Sequence, residues 1–188
     1  MSILKIARLG HPILRKVAQP VEVEAIPSPS IQNLISNMKE TVLDADGAGL
    51  AAPQVHVSKR IVLLSIDEFE GLQVWINPVL TPLTDELIIT FEGCLSVPRM
   101  RGAVARYSHI RVQAHNEKGE SLDFELEGYS AVVAQHECDH LDGIIYVDRV
   151  EPGTLSFLEE YKKYRSFLLA QLTDEDEDED EDEEEEDE

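Results

Sequence analysis

The chain has 188 residues, 43% of them hydrophobic, which suits one domain with a real core. Its formal charge of −22 argues against a nucleic-acid or anionic-membrane binder, although 15 of those charges are the unbroken Asp/Glu run at 174–188, leaving −7 for the rest. Two cysteines are too few for a disulfide framework and suit a reducing, cytoplasmic setting, and neither a signal peptide nor a membrane-length apolar run is visible.

Near the N-terminus, Ser28 and Pro29 form a cap and first-turn pair. Ile31, Leu34, Ile35, Met38 and Val42 then recur at helical spacing, which predicts an amphipathic helix ended near Gly47. "GAGLAAPQV" follows, too rich in small residues and proline for another helix. Strand-like runs occupy 60–66, 72–80, 86–97, 109–115 and 121–127. The last two flank "NEKG" and predict a hairpin. "YSAVVAQHECDHLDG" reads as a helix with Gly143 as its C-cap, and 154–172 as a final helix. The expected fold class is α+β: antiparallel sheets packed around a central helix carrying HECDH, with an N-terminal and a C-terminal helix. The expected division is a single domain over 1–172 and a tail over 173–188. A block of like charge repels itself and buries nothing, so the tail is expected to be disordered.

The helix at 129–143 carries the chemistry. His136 and His140 stand four apart and share one helix face, with Glu137 beside the first. Two imidazoles converging near a carboxylate predict a metal site with a general base, but a catalytic metal needs a third protein ligand. The H-E-x-x-H-x-x-G-x-x-H extension is followed as far as Gly143, then Tyr146 stands where the third histidine belongs. Glu160, twenty residues after His140, has the spacing of a glutamate ligand, yet "FLEEYKK" around it reads as a solvated helix face. Cys94 ends a strand-like run beside Gly93, and its thiolate would be a strong ligand. Residue chemistry alone leaves Glu160 and Cys94 both open.

Three segments bear on that choice. "GAGLAAPQ" (47–54), "EGCLS" (92–96) and "QHECDHLDG" (135–143) resemble, in order and approximate spacing, the signature motifs of peptide deformylases of the bacterial type with a C-terminal helix. The resemblance runs from near residue 3 to about residue 170. It implies a metal site of Cys94, His136 and His140 around one divalent ion, generally Fe²⁺, with Ni²⁺, Co²⁺ or Zn²⁺ also able to bind. It implies Glu137 as base and then acid, with the Gln54 side-chain amide and the Leu95 backbone N–H facing an oxyanion. Gly47, Gly49, Glu92, Gly93, Arg101, Tyr129, Val132 and Val133 take substrate-binding positions, and Glu92 and Arg101 are expected to pair at the pocket mouth. Asp139 is expected to support the site through Arg106 or another basic residue, and Cys138 to be packing. The implied reaction removes the formyl group from the N-terminal formyl-methionine of new polypeptides, releasing formate. The implied partners are those peptides and the ribosome, reached through the C-terminal helix with Lys162, Lys163 and Arg165; neither DNA nor membrane is expected. Two other readings compete: a metallopeptidase using Glu160, and a homologue that binds peptide without turnover.

Overall fold

A computed structural model describes residues 2–184, without the side chains of 171 and 173–184. Helix α1 spans Pro29–Asp44. Strands β1 (Gly49–Ala51), β2 (Ile61–Ser65) and β3 (Leu72–Pro82) follow, then β4 (Leu87–Cys94) and β5 (Val97–Tyr107). The hairpin of β6 (His109–His115) and β7 (Ser121–Glu127) leads into α2 (Gly128–Leu141). The described chain closes with β8 (Ser156–Phe157) and α3 (Leu158–Glu184). One antiparallel sheet has the order β1-β2-β3-β6-β7 and a second the order β4-β5-β8.

Burial explains the layering. On β2, Ile61 and Leu63 join Ile31, Ile35, Met38 and Val42 of α1, while Val62 and Leu64 pack on the α2 side with Trp75, Ala131 and Leu141. Successive side chains on a strand point to opposite faces, so a strand covered on both sides reads as a continuous apolar run. Each such buried side chain contributes roughly 1.5–3 kcal/mol. α2 touches both sheets, and its buried run from Ser130 to Ala134 continues through His136, Glu137 and His140. The helix that carries the ionisable groups is thus fixed in place by apolar packing.

Several boundaries differ from the sequence expectation. Ser28 stands at the N-cap of α1, but its hydroxyl meets Ser30 Oγ at 3.2 Å and makes no cap bond. Asp46, at φ 50°, takes the left-handed turn after α1 that Gly47 was expected to supply. The run at 86–97 is one strand and the start of another: the chain reverses after Cys94, and Cys94 pairs with Val97. β5 was invisible because Pro98, three arginines and Gly102 break its apolar alternation. α3 begins at Leu158, since Ser156 and Phe157 pair with Arg101 and Met100. Its backbone runs helically into the acidic stretch predicted as a disordered tail over 173–188; residues 185–188 lie outside the described residues. Gly143, at φ 74°, follows the end of α2 as expected.

Candidate metal centre and cleft

The turn between β4 and β5 delivers Cys94 to the face of α2 from which His136 and His140 project. The donor atoms of these three residues lie within 4.8 Å of one another, and they are the one group of three or more His, Cys, Asp or Glu among the described residues that could hold a metal ion. Cys94 Sγ is 3.2 Å from His140 Nε2. The Nδ1 of His136 is 2.6 Å from Glu92 Oε2, which leaves its Nε2 for the centre. Burial alone would push the Cys94 thiol up, yet the adjacent His140 and His136 hold it well below its ordinary value. His136 goes the other way: burial opposes its charge, but hydrogen bonds to Cys94 and Glu92 raise it well above the usual imidazole range. A thiolate and two imidazoles, preassembled and nearly dry, form a donor set that a divalent transition-metal ion fits, the cation replacing protons.

A chain of ion pairs fixes His136. Arg106 donates to both oxygens of Glu92, at 2.8 and 3.1 Å, and to Asp139 Oδ2 at 2.5 Å. Arg149 clamps Asp139 from outside at 2.7 and 2.8 Å. Burial would raise the Glu92 carboxyl, but its bonds to His136 and Arg106 hold it below the ordinary value. The expected Asp139–Arg106 contact is therefore present, whereas the expected Glu92–Arg101 pair is not. Arg101 instead lies across Gly93 and donates to the Met100 carbonyl at 2.9 Å. The reason is burial: Glu92 and Arg106 side chains are 5% and 3% exposed, and a buried carboxylate needs a partner buried with it.

Glu137 sits beside the three donors but outside their group. Its Oε2 is buried with no hydrogen-bond partner, and burial pushes its pKa up to about 7 against the pull of His136 and His140. Gly49 makes this position possible, because a Cβ there would lie 2.4 Å from Glu137 Oε1. Gln54 is 1% exposed, far from a surface loop residue. Its Oε1 accepts from the Ala51 N–H at 2.8 Å, so its Nε2 points inward, 3.4 Å from Cys94 Sγ and 3.2 Å from Ser96 Oγ. That bond fixes which end of the amide faces the site.

These groups open onto a cleft of about 660 Å³. Gly47, Gly49, Gln54, Glu92, Gly93, Cys94, Leu95, Arg101, Tyr129, Val132, Val133, His136 and Glu137 all line it, while His140 lies behind at 1% exposure. Val132 and Val133 are nearly buried, and Tyr129 is 63% exposed at the rim. Tyr146, where the longer motif would place a third histidine, is stacked on His136 at 6.0 Å between ring centroids. Glu160 is exposed on α3, apart from the donor group. Cys138 is buried, its thiol pushed up by desolvation, and lines a separate cavity behind α2 with Arg60 and Asp142. The sequence reading missed Arg8, Asp46, Phe91, Arg99 and Leu158, which also line the cleft. Phe91 and Arg99 flank the EGCLS segment and Asp46 immediately precedes GAGLAAPQ, the signals that could have flagged them; Arg8 and Leu158 lie far from any motif.

Comparison with known proteins gives a consistent picture. A family model described as polypeptide deformylase matches residues 3–155. A peptide deformylase of Leptospira biflexa is 42% identical over 164 residues, covering 82% of this chain and 92% of that one. The crystal structure of peptide deformylase from Thermotoga maritima is 38% identical with a TM-score of 0.74, covering 80% of this chain and 99% of that one. A Met-Ala-Ser-bound class I type b peptide deformylase from Acinetobacter baumannii is 34% identical with a TM-score of 0.74, covering 79% and 98%.

Proposed function

The chain belongs to the polypeptide deformylase family, and on that premise we propose how its residues divide the work. The enzyme is a metal-dependent hydrolase that removes the N-formyl group from newly made polypeptides. Cys94 Sγ and the Nε2 atoms of His136 and His140 would hold one divalent ion, Fe²⁺ by preference, with Ni²⁺, Co²⁺ or Zn²⁺ as substitutes. When bound, that ion supplies Lewis acidity, which lowers the pKa of a water molecule toward about 7. Glu137 takes the proton of the attacking water and gives it to the amine nitrogen as the formyl C–N bond breaks. A carboxyl buried beside the ligands, with one oxygen free of any hydrogen bond, is placed to do both. The Gln54 Nε2–H and the Leu95 N–H donate to the oxygen that gains negative charge. The bond from Ala51 holds that Gln54 donor in place beforehand, so it costs no reorganisation during reaction. Tyr129, Val132 and Val133 offer an apolar surface for the methionine side chain, and Gly47, Gly49 and Gly93 let peptide backbone approach closely.

The observation that carries this division of labour is the place of Glu137, beside the three donors and not among them. It is tested by formate release from formyl-Met-Ala-Ser together with metal analysis. Cys94→Ala should lose the metal, and Glu137→Gln should keep it while losing most turnover. An empty site in Glu137→Gln would refute the assignment, as would a full site in Cys94→Ala. The metallopeptidase reading needs Glu160, which is exposed on α3. Residues 1–172 are proposed as the catalytic unit, with 173–188 as an appended tail. The proposed setting is the cytoplasm, where the exposed Lys162, Lys163 and Arg165 of α3 would meet ribosomal RNA. Among the described residues no helix is long and apolar enough to cross a membrane.

A further inference from the structure

Three arginines line the cleft of an acidic body. Outside the acidic run the chain has a net charge of −7, yet Arg8, Arg99 and Arg101 all line the cleft. Among the described residues each donates one side-chain hydrogen bond. Arg8 Nη1 donates to the Leu95 carbonyl, Arg99 Nη2 to Glu159 Oε1, and Arg101 Nη1 to the Met100 carbonyl. A guanidinium has five N–H donors, so most remain available. Among the described residues neither Arg8 nor Arg101 has a carboxylate partner. Arg99 stands at φ 63°, where residues other than glycine are uncommon, and its side chain is 73% exposed. Of the three carboxylates lining the same cleft, Asp46 is exposed, Glu137 is buried beside the metal ligands, and Glu92 is already committed to Arg106 and His136.

Resting on the reaction assigned above, we propose that these arginines make the enzyme select formyl-methionyl peptides with acidic side chains in the few residues after the methionine. Each contact is an exposed ion pair, modest alone and screened by salt. Acting together on encounter and binding they should separate acidic from basic peptides by about tenfold in kcat/KM. The effect belongs mainly in KM, because contacts remote from the breaking bond are the same in ground and transition states.

The test uses the metal-loaded full chain and three peptides with amidated C-termini: formyl-Met-Ala-Ser, formyl-Met-Glu-Glu and formyl-Met-Lys-Lys. Amidation removes the terminal carboxylate, which would otherwise offer the same chemistry as an acidic side chain. The expected order is Glu-Glu above Ala-Ser above Lys-Lys, with the spread shrinking as salt rises. In Arg8→Glu and Arg99→Glu the order should level or invert. Equal kcat/KM for the three peptides, or a preference for Lys-Lys, overturns the proposal. So does a Glu-Glu preference that persists at high salt or in both variants. The salt series needs no variant, so a misfolded mutant does not block the test. Calorimetric binding of unformylated Met-Glu-Glu and Met-Lys-Lys amides asks the same question without turnover. Tighter Met-Glu-Glu binding supports the selection even if no formate is released, and that failure would count against the assigned reaction alone.

Discussion

Replacing Glu137 by Gln should make the metal-free protein more stable at pH 8 and change little at pH 4. The carboxyl is 5% exposed, and burial raises its pKa from 4.5 to about 7. Below pH 4.5 it is protonated in both folded and unfolded chains and contributes nothing. Between 4.5 and 7 the folded state holds a proton that the unfolded state has released, so stability falls as pH rises. Above about 7 the loss is complete. At about 1.4 kcal/mol per pH unit it amounts to roughly 3 kcal/mol. His136 and Cys94 are present in both proteins, so the quantity read is the difference between wild type and variant at each pH. The neutral amide has nearly the same shape and no ionisation to suppress. The assay is urea unfolding of both metal-free proteins at several pH values, compared at fixed m-value. The expected gap opens between pH 5 and 7 in favour of the variant and reaches a few kcal/mol. A gap that does not vary with pH, or a variant less stable at pH 8, would refute the claim that the buried carboxyl is held at stability's expense. The same variant, metal-loaded, should lose 10²–10⁴-fold in turnover, a loss typical of a missing general acid–base.

Other expectations follow from single contacts. Gly49→Ala should cut formate release by about 100-fold, because its methyl would meet the Glu137 side chain within 2.4–2.7 Å and one ångström of misplacement is enough for that loss. Gly93→Ala should cost far less, since its methyl meets the far end of the Arg101 side chain, which can move. Arg106→Met should lower stability by about 3–5 kcal/mol in urea unfolding, because Glu92 and Asp139 lose a buried counter-charge. The same variant should weaken metal affinity about 10–100-fold in a competition titration, through loss of the support behind His136. Removing the metal with a chelator should abolish formate release, and adding a divalent ion back should restore it.

How far the sequence could be read depended on how far apart the partners lie. His136, Glu137 and His140 share a helix, so their spacing alone brought them together, and α2 is found where "YSAVVAQHECDHLDG" placed it. Strands with apolar runs, such as β2, and the β6–β7 hairpin were legible for the same local reason. The identity of the third ligand was not: Cys94 lies 46 residues from His140, and only the resemblance of three motifs chose it over Glu160. β5 was the costly omission. Without it the β4–β5 register is unknown, and with it goes the position of every arginine on that strand.

The pairing of Glu92 shows what was missing. Sequence offered three arginines, Arg99, Arg101 and Arg106, at seven, nine and fourteen residues from Glu92. The sequence reading paired Glu92 with Arg101, and the structure uses Arg106. The choice follows from two demands that only a folded site makes. His136 needs an acceptor at Nδ1 to fix its ring, and Glu92 supplies it at 2.6 Å from within the core. A carboxylate so placed costs several kcal/mol unless an equally buried cation meets it. Arg106 satisfies that demand because Asp139 and Glu92 hold it from two sides. Arg101 is then free of Glu92 and lies in the cleft, where its charge can meet substrate. One buried pair therefore decides which arginine supports the ligand His136 and which is left in the cleft.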